Sequence, residues 1–152
     1  MSLSSEVIRK LSGKTLSTAE SLTGGGIGSA LTAVAGSSAV YKGGVISYTN
    51  EIKMNVLGVS AALLEKHGAV SLPVAEAMVC GVRKLLNTDV AVSVTGLAGP
   101  GGDEYGNPVG TVYIGYEDSN RCVCREFHFE GDREAVRSQT IDAALNFILE
   151  FN

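Results

Sequence analysis

Apolar residues recur along the chain in short runs and in longer, spaced patterns, and the two arrangements predict different elements. Five short runs are bounded by glycine or polar residues, as is typical of strands. We predict strands over residues 14–19, 44–48, 90–95, 111–116 and 122–130. Each run is short enough to be a strand and has a turn-forming residue close to one of its ends.

The remaining apolar residues follow helical spacing. Ser71 followed by Pro73 suits a helix start, because proline in the first turn sacrifices no intrahelical hydrogen bond. Polar residues ahead of the shorter patterns suit N-caps. We predict helices through Ala30 and Val34, from caps at Asn50 and Ser60, from Ser71 to Leu86, and along Val136, Ile141, Leu145 and Ile148.

The order of these elements predicts the fold class. Strands that alternate with helices favour a sheet covered on both faces, while the last two strands follow each other directly and introduce antiparallel pairing. We therefore predict an α/β fold, a three-layer α/β/α sandwich with a mixed, mostly parallel sheet of about five strands. The length of 152 residues suits a single domain over residues 1–152.

Composition and charge narrow the classes of function. The chain is 45% hydrophobic and 18% charged, which is typical of a folded domain. Its formal net charge of -4 argues against the basic surface that binds nucleic acid or anionic membranes, so we expect a small-molecule partner. The first residues lack the pattern of a signal peptide, and the three cysteines lack Cys-x-x-Cys spacing; we therefore expect a cytoplasmic protein.

Three loops are candidates for a functional site. They follow the predicted strands after Ala19, Tyr48 and Thr95. In open α/β sheets, ligands bind outside the carboxyl ends of the strands. The third loop, residues 96–108, is rich in glycine and long for a passive connection. These loops predict a binding site at one edge of the sheet.

Several mechanisms are poorly supported by the residues available. His67 precedes a glycine at a predicted helix end, and His128 lies on a predicted strand face. With these as its only histidines, the chain offers little support for a Ser-His-Asp triad or a metal site. The run at residues 24–29 nearly matches a dinucleotide fingerprint but ends in serine. We expect neither metal nor cofactor.

Ser21 lies in a turn ahead of a predicted helix, beside amide N–H groups suited to an anion or an oxyanion. Such a serine is either an ordinary cap residue or a nucleophile that needs a base. Tyr48 and Lys53 could both face this turn if their strand pairs with the first. Either burial makes Lys53 the base, or a charged Lys53 acidifies Tyr48, and an exposed Lys53 would do neither.

Several motifs in this order resemble the CinA C-terminal domain family, also called the nicotinamide-nucleotide amidase family. They occupy residues 18–25, 45–53, 68–71, 95–102 and 108–112, and are followed by Gly131-Asp132-Arg133. The resemblance runs from about Lys14 to the final helix. Two positions depart from the family pattern: Leu22 stands where cysteine is common, and Asn107 replaces a frequent lysine.

The resemblance implies hydrolysis of the carboxamide of nicotinamide mononucleotide to nicotinate mononucleotide and ammonia, a step in pyridine nucleotide salvage. It implies a serine nucleophile assisted by tyrosine and lysine, which falls on Ser21, Tyr48 and Lys53. It also implies a metal-free, three-layer, self-associating protein, for which we favour a dimer. The alternative is a non-catalytic nucleotide-binding or protein-interaction module of the competence/damage-inducible type.

Substrate contacts are expected from the same loops and from the last helix. Backbone N–H groups near Thr23 to Gly25, or in a turn at Thr95 and Gly96, would stabilise an oxyanion. The third loop or an arginine would bind the phosphate. The full set of predicted substrate-binding residues is Thr23, Gly24, Gly25, Thr95, Gly96, Gly99, Gly101, Gly102, Arg133 and Arg137.

Overall fold

The computed structural model describes residues 1–152 and contains five strands and six α-helices. The strands are β1 (Leu16–Glu20), β2 (Tyr41–Ile46), β3 (Val90–Gly96), β4 (Thr111–Glu117) and β5 (Cys122–His128). The helices are α1 (Leu3–Lys10), α2 (Gly26–Thr32), α3 (Asn50–Asn55), α4 (Ala61–His67), α5 (Leu72–Leu86) and α6 (Arg133–Glu150), with a 3₁₀ turn at Ser37–Ala39. None of these helices has the length and apolar character required of a membrane span.

The five strands form one mixed sheet in the order β2-β1-β3-β4-β5. β1 pairs in parallel with β2 and β3, whereas β3 with β4 and β4 with β5 pair antiparallel. The predicted mixed, five-stranded sheet is confirmed. We expected mostly parallel pairing, but two of the four pairings are parallel and two are antiparallel. The parallel half brings the carboxyl ends of β2, β1 and β3 to the same edge.

Apolar residues of helices pack against both faces of the central strand β3. Alternate residues of a strand point to opposite faces. Accordingly, Val90 and Val92 pack with apolar residues of α1, α2 and α6, whereas Ala91 packs with a separate group that includes Met78 and Val82 of α5. Both faces of the central strands are therefore buried.

The helix starts show how local hydrogen bonds refine the prediction. Ser60 is the N-cap of α4, as predicted, and its hydroxyl accepts a hydrogen bond from the Leu63 N–H. The cap of α3 is Thr49, one residue before the predicted Asn50. Helix α1 is an addition to the prediction: it has only eight residues, although its Leu3, Val7 and Ile8 follow helical spacing.

Candidate active site

The loops after β1, β2 and β3 meet at one edge of the sheet and enclose a pocket of about 290 Å³. This arrangement agrees with the position that we predicted for the site. The pocket also receives one side chain from the first turn of α6. Of the predicted site residues, those that line it are Ser21, Tyr48, Lys53, Thr95, Gly96, Gly99, Gly101 and Arg133.

Ser21 and Lys53 form a buried hydrogen-bonded pair in this pocket. Lys53 Nζ lies 3.0 Å from Ser21 Oγ and 2.7 Å from the Ser47 carbonyl oxygen. The parallel pairing of β1 with β2 brings the two loops together. The Thr49 cap then starts α3, which places Lys53 within reach of Ser21 from the neighbouring loop.

Burial changes the acid–base character of Lys53. The residue is only 1% exposed and forms no salt bridge with a carboxylate. Desolvation by burial therefore lowers the pKa of the Lys53 ammonium from 10.5 to about 8. At pH 7 about one-tenth of such amines are neutral, so a lysine with this pKa is available as a base near neutral pH.

Tyr48 lines the same pocket but bonds to a different residue. Its ring is 57% exposed, and its hydroxyl accepts a hydrogen bond of 2.9 Å from Arg133 Nη2. The Tyr48 hydroxyl forms no hydrogen bond with Ser21 or Lys53. Arg133 also donates to the Gly99 carbonyl at 2.7 Å, which connects α6 with the glycine-rich loop. The trio of predicted catalytic residues thus consists of a bonded pair and a phenol oriented by an arginine.

A buried carboxylate that we did not single out caps the helix after Ser21. Glu20 is 2% exposed and accepts hydrogen bonds from Thr23 Oγ1 at 2.6 Å, Ile27 N at 2.8 Å and Gly28 N at 3.0 Å. The N–H groups at the start of α2, which we expected to serve an anion, therefore bind Glu20. An acidic residue close before a helix start was the available signal, but Glu20 ends a strand instead of occupying the cap position.

Several predicted substrate-binding residues have structural partners instead. The Gly24 N–H donates to the Ser21 carbonyl, and Gly25 is the left-handed N-cap of α2. The expected turn at Thr95 and Gly96 does not exist, because both residues belong to β3 and Gly96 pairs with Val112. Of the residues expected to contact substrate, those outside the pocket lining are Thr23, Gly24, Gly25, Gly102 and Arg137.

Arg137 contacts the loop that carries the serine. Its Nε donates to the Leu22 carbonyl at 2.9 Å, and its Nη2 donates to the Thr23 carbonyl at 3.2 Å. The side chain is part-buried behind this loop. Two of its guanidinium nitrogens thus donate to backbone carbonyls of the serine loop, and Arg137 lies outside the pocket lining.

Asn107 anchors the glycine-rich loop. Its side-chain amide donates to the Val70 carbonyl at 3.1 Å and to the Asp103 carboxylate at 2.8 Å. Tyr105 fixes the same loop to α4 through a hydrogen bond of 2.7 Å to the Glu65 carbonyl. Asn107 does not line the pocket, so its contribution is to the shape of the loop.

Fold and site together define an α/β protein whose loop-borne serine is paired with a desolvated lysine. The family model of the CinA C-terminal domain matches residues 1–151. The chain therefore belongs to the CinA C-terminal domain family.

Individual relatives agree with this assignment. The CinA-like protein of Citrifermentans bemidjiense is 49% identical over 92% of this chain and 34% of its own length, and that of Rippkaea orientalis is 51% identical over 90% and 33%. The chain thus spans about a third of the length of these curated relatives.

Solved structures match over nearly the whole fold. The competence damage-inducible protein A (ComA) of Klebsiella pneumoniae has a TM-score of 0.95 and 39% identity, with 97% of this chain and 93% of that one covered. The competence/damage inducible protein CihA of Agrobacterium tumefaciens has a TM-score of 0.94 and 38% identity, with 97% and 92% covered.

Proposed function

We propose that this protein is an amidohydrolase that converts nicotinamide mononucleotide to nicotinate mononucleotide and ammonia. The observation that carries the proposal is the buried contact of 3.0 Å between Lys53 Nζ and Ser21 Oγ. It supplies a nucleophile and, through the lowered pKa of Lys53, a base. The choice of substrate rests on the family resemblance, since the names of the relatives specify none.

In the first half-reaction, neutral Lys53 removes the hydroxyl proton while Ser21 Oγ forms a bond to the carboxamide carbon. The tetrahedral intermediate then collapses, the C–N bond breaks, and the Lys53 ammonium returns the proton to the departing ammonia. Lys53 next activates a water molecule, which attacks the ester and releases the carboxylic acid and free Ser21. The same amine therefore acts as base and acid in turn.

Backbone amides next to the serine are suited to stabilise the oxyanion. The N–H groups of Leu22 and Thr23 donate to no backbone carbonyl, and Leu22 lines the pocket beside Ser21. Donors aimed at a developing oxyanion each contribute about 10²- to 10³-fold in kcat. We assign the oxyanion to the Leu22 amide, whose residue lines the pocket, and to the adjacent Thr23 amide, whose residue lies outside the lining. This assignment replaces the Thr95–Gly96 pair, which belongs to the sheet.

Arg133 gives the pocket a positive charge suited to the phosphate of a mononucleotide. Its guanidinium lines the pocket, is exposed, and forms no salt bridge. The hydrogen bond to the Tyr48 hydroxyl holds the guanidinium at the phenol oxygen of that side chain. We assign substrate positioning to this pair, with the ring of Tyr48 next to the bound base.

An ammonia-release assay over a panel of carboxamides tests reaction class and substrate together. The panel compares nicotinamide mononucleotide, nicotinamide riboside and free nicotinamide, with the wild type, Ser21→Ala and the exposed-site control Ser38→Ala. We expect turnover of the mononucleotide by the wild type and by Ser38→Ala, and a loss of at least about 10³-fold in Ser21→Ala. Thermal stabilisation by the mononucleotide without ammonia release would instead support the non-catalytic binding module.

A further inference from the structure

The Arg137 guanidinium fixes two consecutive carbonyls of the loop that carries Ser21. It donates to the Leu22 and Thr23 carbonyl oxygens, and it forms no salt bridge. Hydrogen bonds from a charged donor are stronger than those between neutral groups. The loop is thus held by a charged side chain whose charge no carboxylate neutralises.

Fixing these carbonyls also fixes the neighbouring amides. In a planar trans peptide, the carbonyl and the following N–H point in opposite directions. The contact at the Leu22 carbonyl therefore turns the Thr23 N–H away from Arg137. The contact at the Thr23 carbonyl likewise fixes the direction of the Gly24 N–H. This N–H donates to the Ser21 carbonyl at 3.1 Å. Because the Ser21 carbonyl and the Leu22 N–H belong to the same peptide, the direction of the Leu22 N–H is fixed as well.

The two amides oriented in this way are the two that the proposed mechanism assigns to the oxyanion. We infer that Arg137 is a positioning residue for the oxyanion site: it touches neither substrate nor reacting atoms, and acts through the Leu22 and Thr23 peptides. This inference rests on the proposed hydrolytic function and deepens it. It reassigns Arg137 from phosphate binding to stabilisation of the transition state.

Arg133 and Arg137 offer a matched comparison, because they lie four residues apart on the same helix face. Arg133 lines the pocket, whereas Arg137 lies behind the serine loop. Loss of a transition-state interaction lowers kcat with little change in KM, while loss of a ground-state contact raises KM. Substitution of Arg137 should therefore lower kcat, whereas substitution of Arg133 should raise KM.

The first test is steady-state hydrolysis of nicotinamide mononucleotide by Arg137→Gln, Arg133→Gln and the exposed control Arg9→Gln. We expect Arg137→Gln to lower kcat by about 10²-fold with KM within about threefold. Arg133→Gln should mainly raise KM, and Arg9→Gln should match the wild type. An unchanged kcat in Arg137→Gln, or a change confined to KM, would overturn the inference.

The second test does not depend on the identity of the substrate. A small fluorophosphonate probe reacts with an activated serine: Ser21 Oγ bonds to phosphorus, the P–F bond breaks, fluoride leaves, and the proton passes to Lys53. Intact-mass spectrometry should show slower labelling in Arg137→Gln by about 10²-fold, since the P=O oxygen needs the same donors. Equal rates in variant and wild type would overturn the role of Arg137, whereas a wild type without labelling or turnover would overturn the proposed function itself.

A folding defect is separated from a positioning defect by a second variant. Arg137→Lys keeps the charge and the aliphatic stem but cannot hold two carbonyls with one planar group. With its melting temperature near that of the wild type, it should still lose at least about tenfold in kcat and in labelling rate. Wild-type values of both in folded Arg137→Lys would contradict the inference.

Discussion

At the scale of single residues, Lys53 is the proposed base because its surroundings leave its charge poorly compensated. Its Nζ has two oxygen partners, the Ser47 carbonyl and Ser21 Oγ, and neither is anionic. Burial without a counter-charge disfavours the ammonium form, which is the physical cause of the lowered pKa. A carboxylate in the same place would raise the pKa again and remove the base.

The pH dependence of hydrolysis follows from this pKa. In the proposed mechanism neutral Lys53 is the active form, so kcat/KM should rise about tenfold per pH unit below pH 8 and level off above it. Initial rates with nicotinamide mononucleotide between pH 5.5 and 9.5 measure the profile. A rate independent of pH between 6 and 8 would exclude Lys53 as the base.

The same group makes the free energy of unfolding depend on pH. Because the pKa of Lys53 is lower in the folded state, the unfolded chain binds more protons between about pH 8 and 10.5, and stability rises with pH there. The stability of the wild type relative to Lys53→Met should therefore increase by about 2 kcal/mol from pH 7.5 to 9.5. Urea unfolding of both proteins measures this difference, with Lys66→Met as the exposed control, which should track the wild type.

The sequence could identify Ser21 and Lys53 as candidate site residues, but it could not identify the hydrogen-bond partners of Tyr48 and Arg137. Residue type and position after a strand pointed to both side chains. The partners of Tyr48 and Arg137 depend on how α6 crosses the site, which no local pattern encodes. Arg137 was therefore assigned to substrate, whereas its donors face backbone.

At the scale of elements, the Glu20 carboxylate caps the N-terminus of helix α2. The carboxylate accepts from two N–H groups of the first turn and from the Thr23 hydroxyl, which satisfies donors that a helix start otherwise leaves free. A negative charge at this end also complements the helix dipole. The Glu20 side chain therefore fixes the loop that contains Ser21 to the first turn of α2.

Replacing Glu20 tests that capping role. Glu20→Gln keeps the size of the side chain but removes the charge and one acceptor, so we expect about 2 kcal/mol loss in the free energy of unfolding. Urea unfolding at pH 7 measures the loss, and the exposed Glu104→Gln serves as the charge-matched control. Equal stability of the two variants would contradict a capping role for Glu20.

The elements themselves could largely be predicted, because periodicity and turn residues are local. All five strands and the long helices α5 and α6 follow from apolar spacing. Helix α1 has such a spacing in Leu3, Val7 and Ile8, but over only eight residues, and buried Val7 packs it against the rest of the core. The numbers of parallel and antiparallel pairings are set by the position at which the β4–β5 hairpin joins the sheet. That position depends on contacts between residues distant in sequence, which local patterns do not encode.

At the scale of the whole molecule, the site depends on contacts between layers. Gly81 of α5 packs directly on the segment after α3: a Cβ at this position would lie 2.1 Å from the Leu57 carbonyl oxygen. The same segment bonds back to Lys53 through the Val59 N–H, which donates to the Lys53 carbonyl at 3.0 Å. A displacement of the Leu57 segment by α5 would therefore be transmitted to α3, the helix that contains Lys53.

Gly81→Ala tests this coupling. Alanine usually stabilises a helix interior by about 1 kcal/mol over glycine, but here the backbone contact should reverse the sign and cost about 2 kcal/mol or more. We expect lower thermal stability together with reduced hydrolysis. Gly28→Ala is the control, since its new methyl would meet side-chain atoms of Tyr41 and Glu20 and no backbone atom. A smaller loss in Gly81→Ala than in this control would refute the coupling.

A double-mutant cycle on Ser21 and Lys53 tests most directly whether the two act as one catalytic unit. The measurement is kcat/KM for ammonia release from nicotinamide mononucleotide by the wild type, Ser21→Ala, Lys53→Met and the double variant. In the proposed mechanism every step of Lys53 belongs to the pathway that Ser21 opens, so the double variant should lose no more activity than Ser21→Ala alone. Losses that multiply, or turnover retained in Ser21→Ala, would contradict the account.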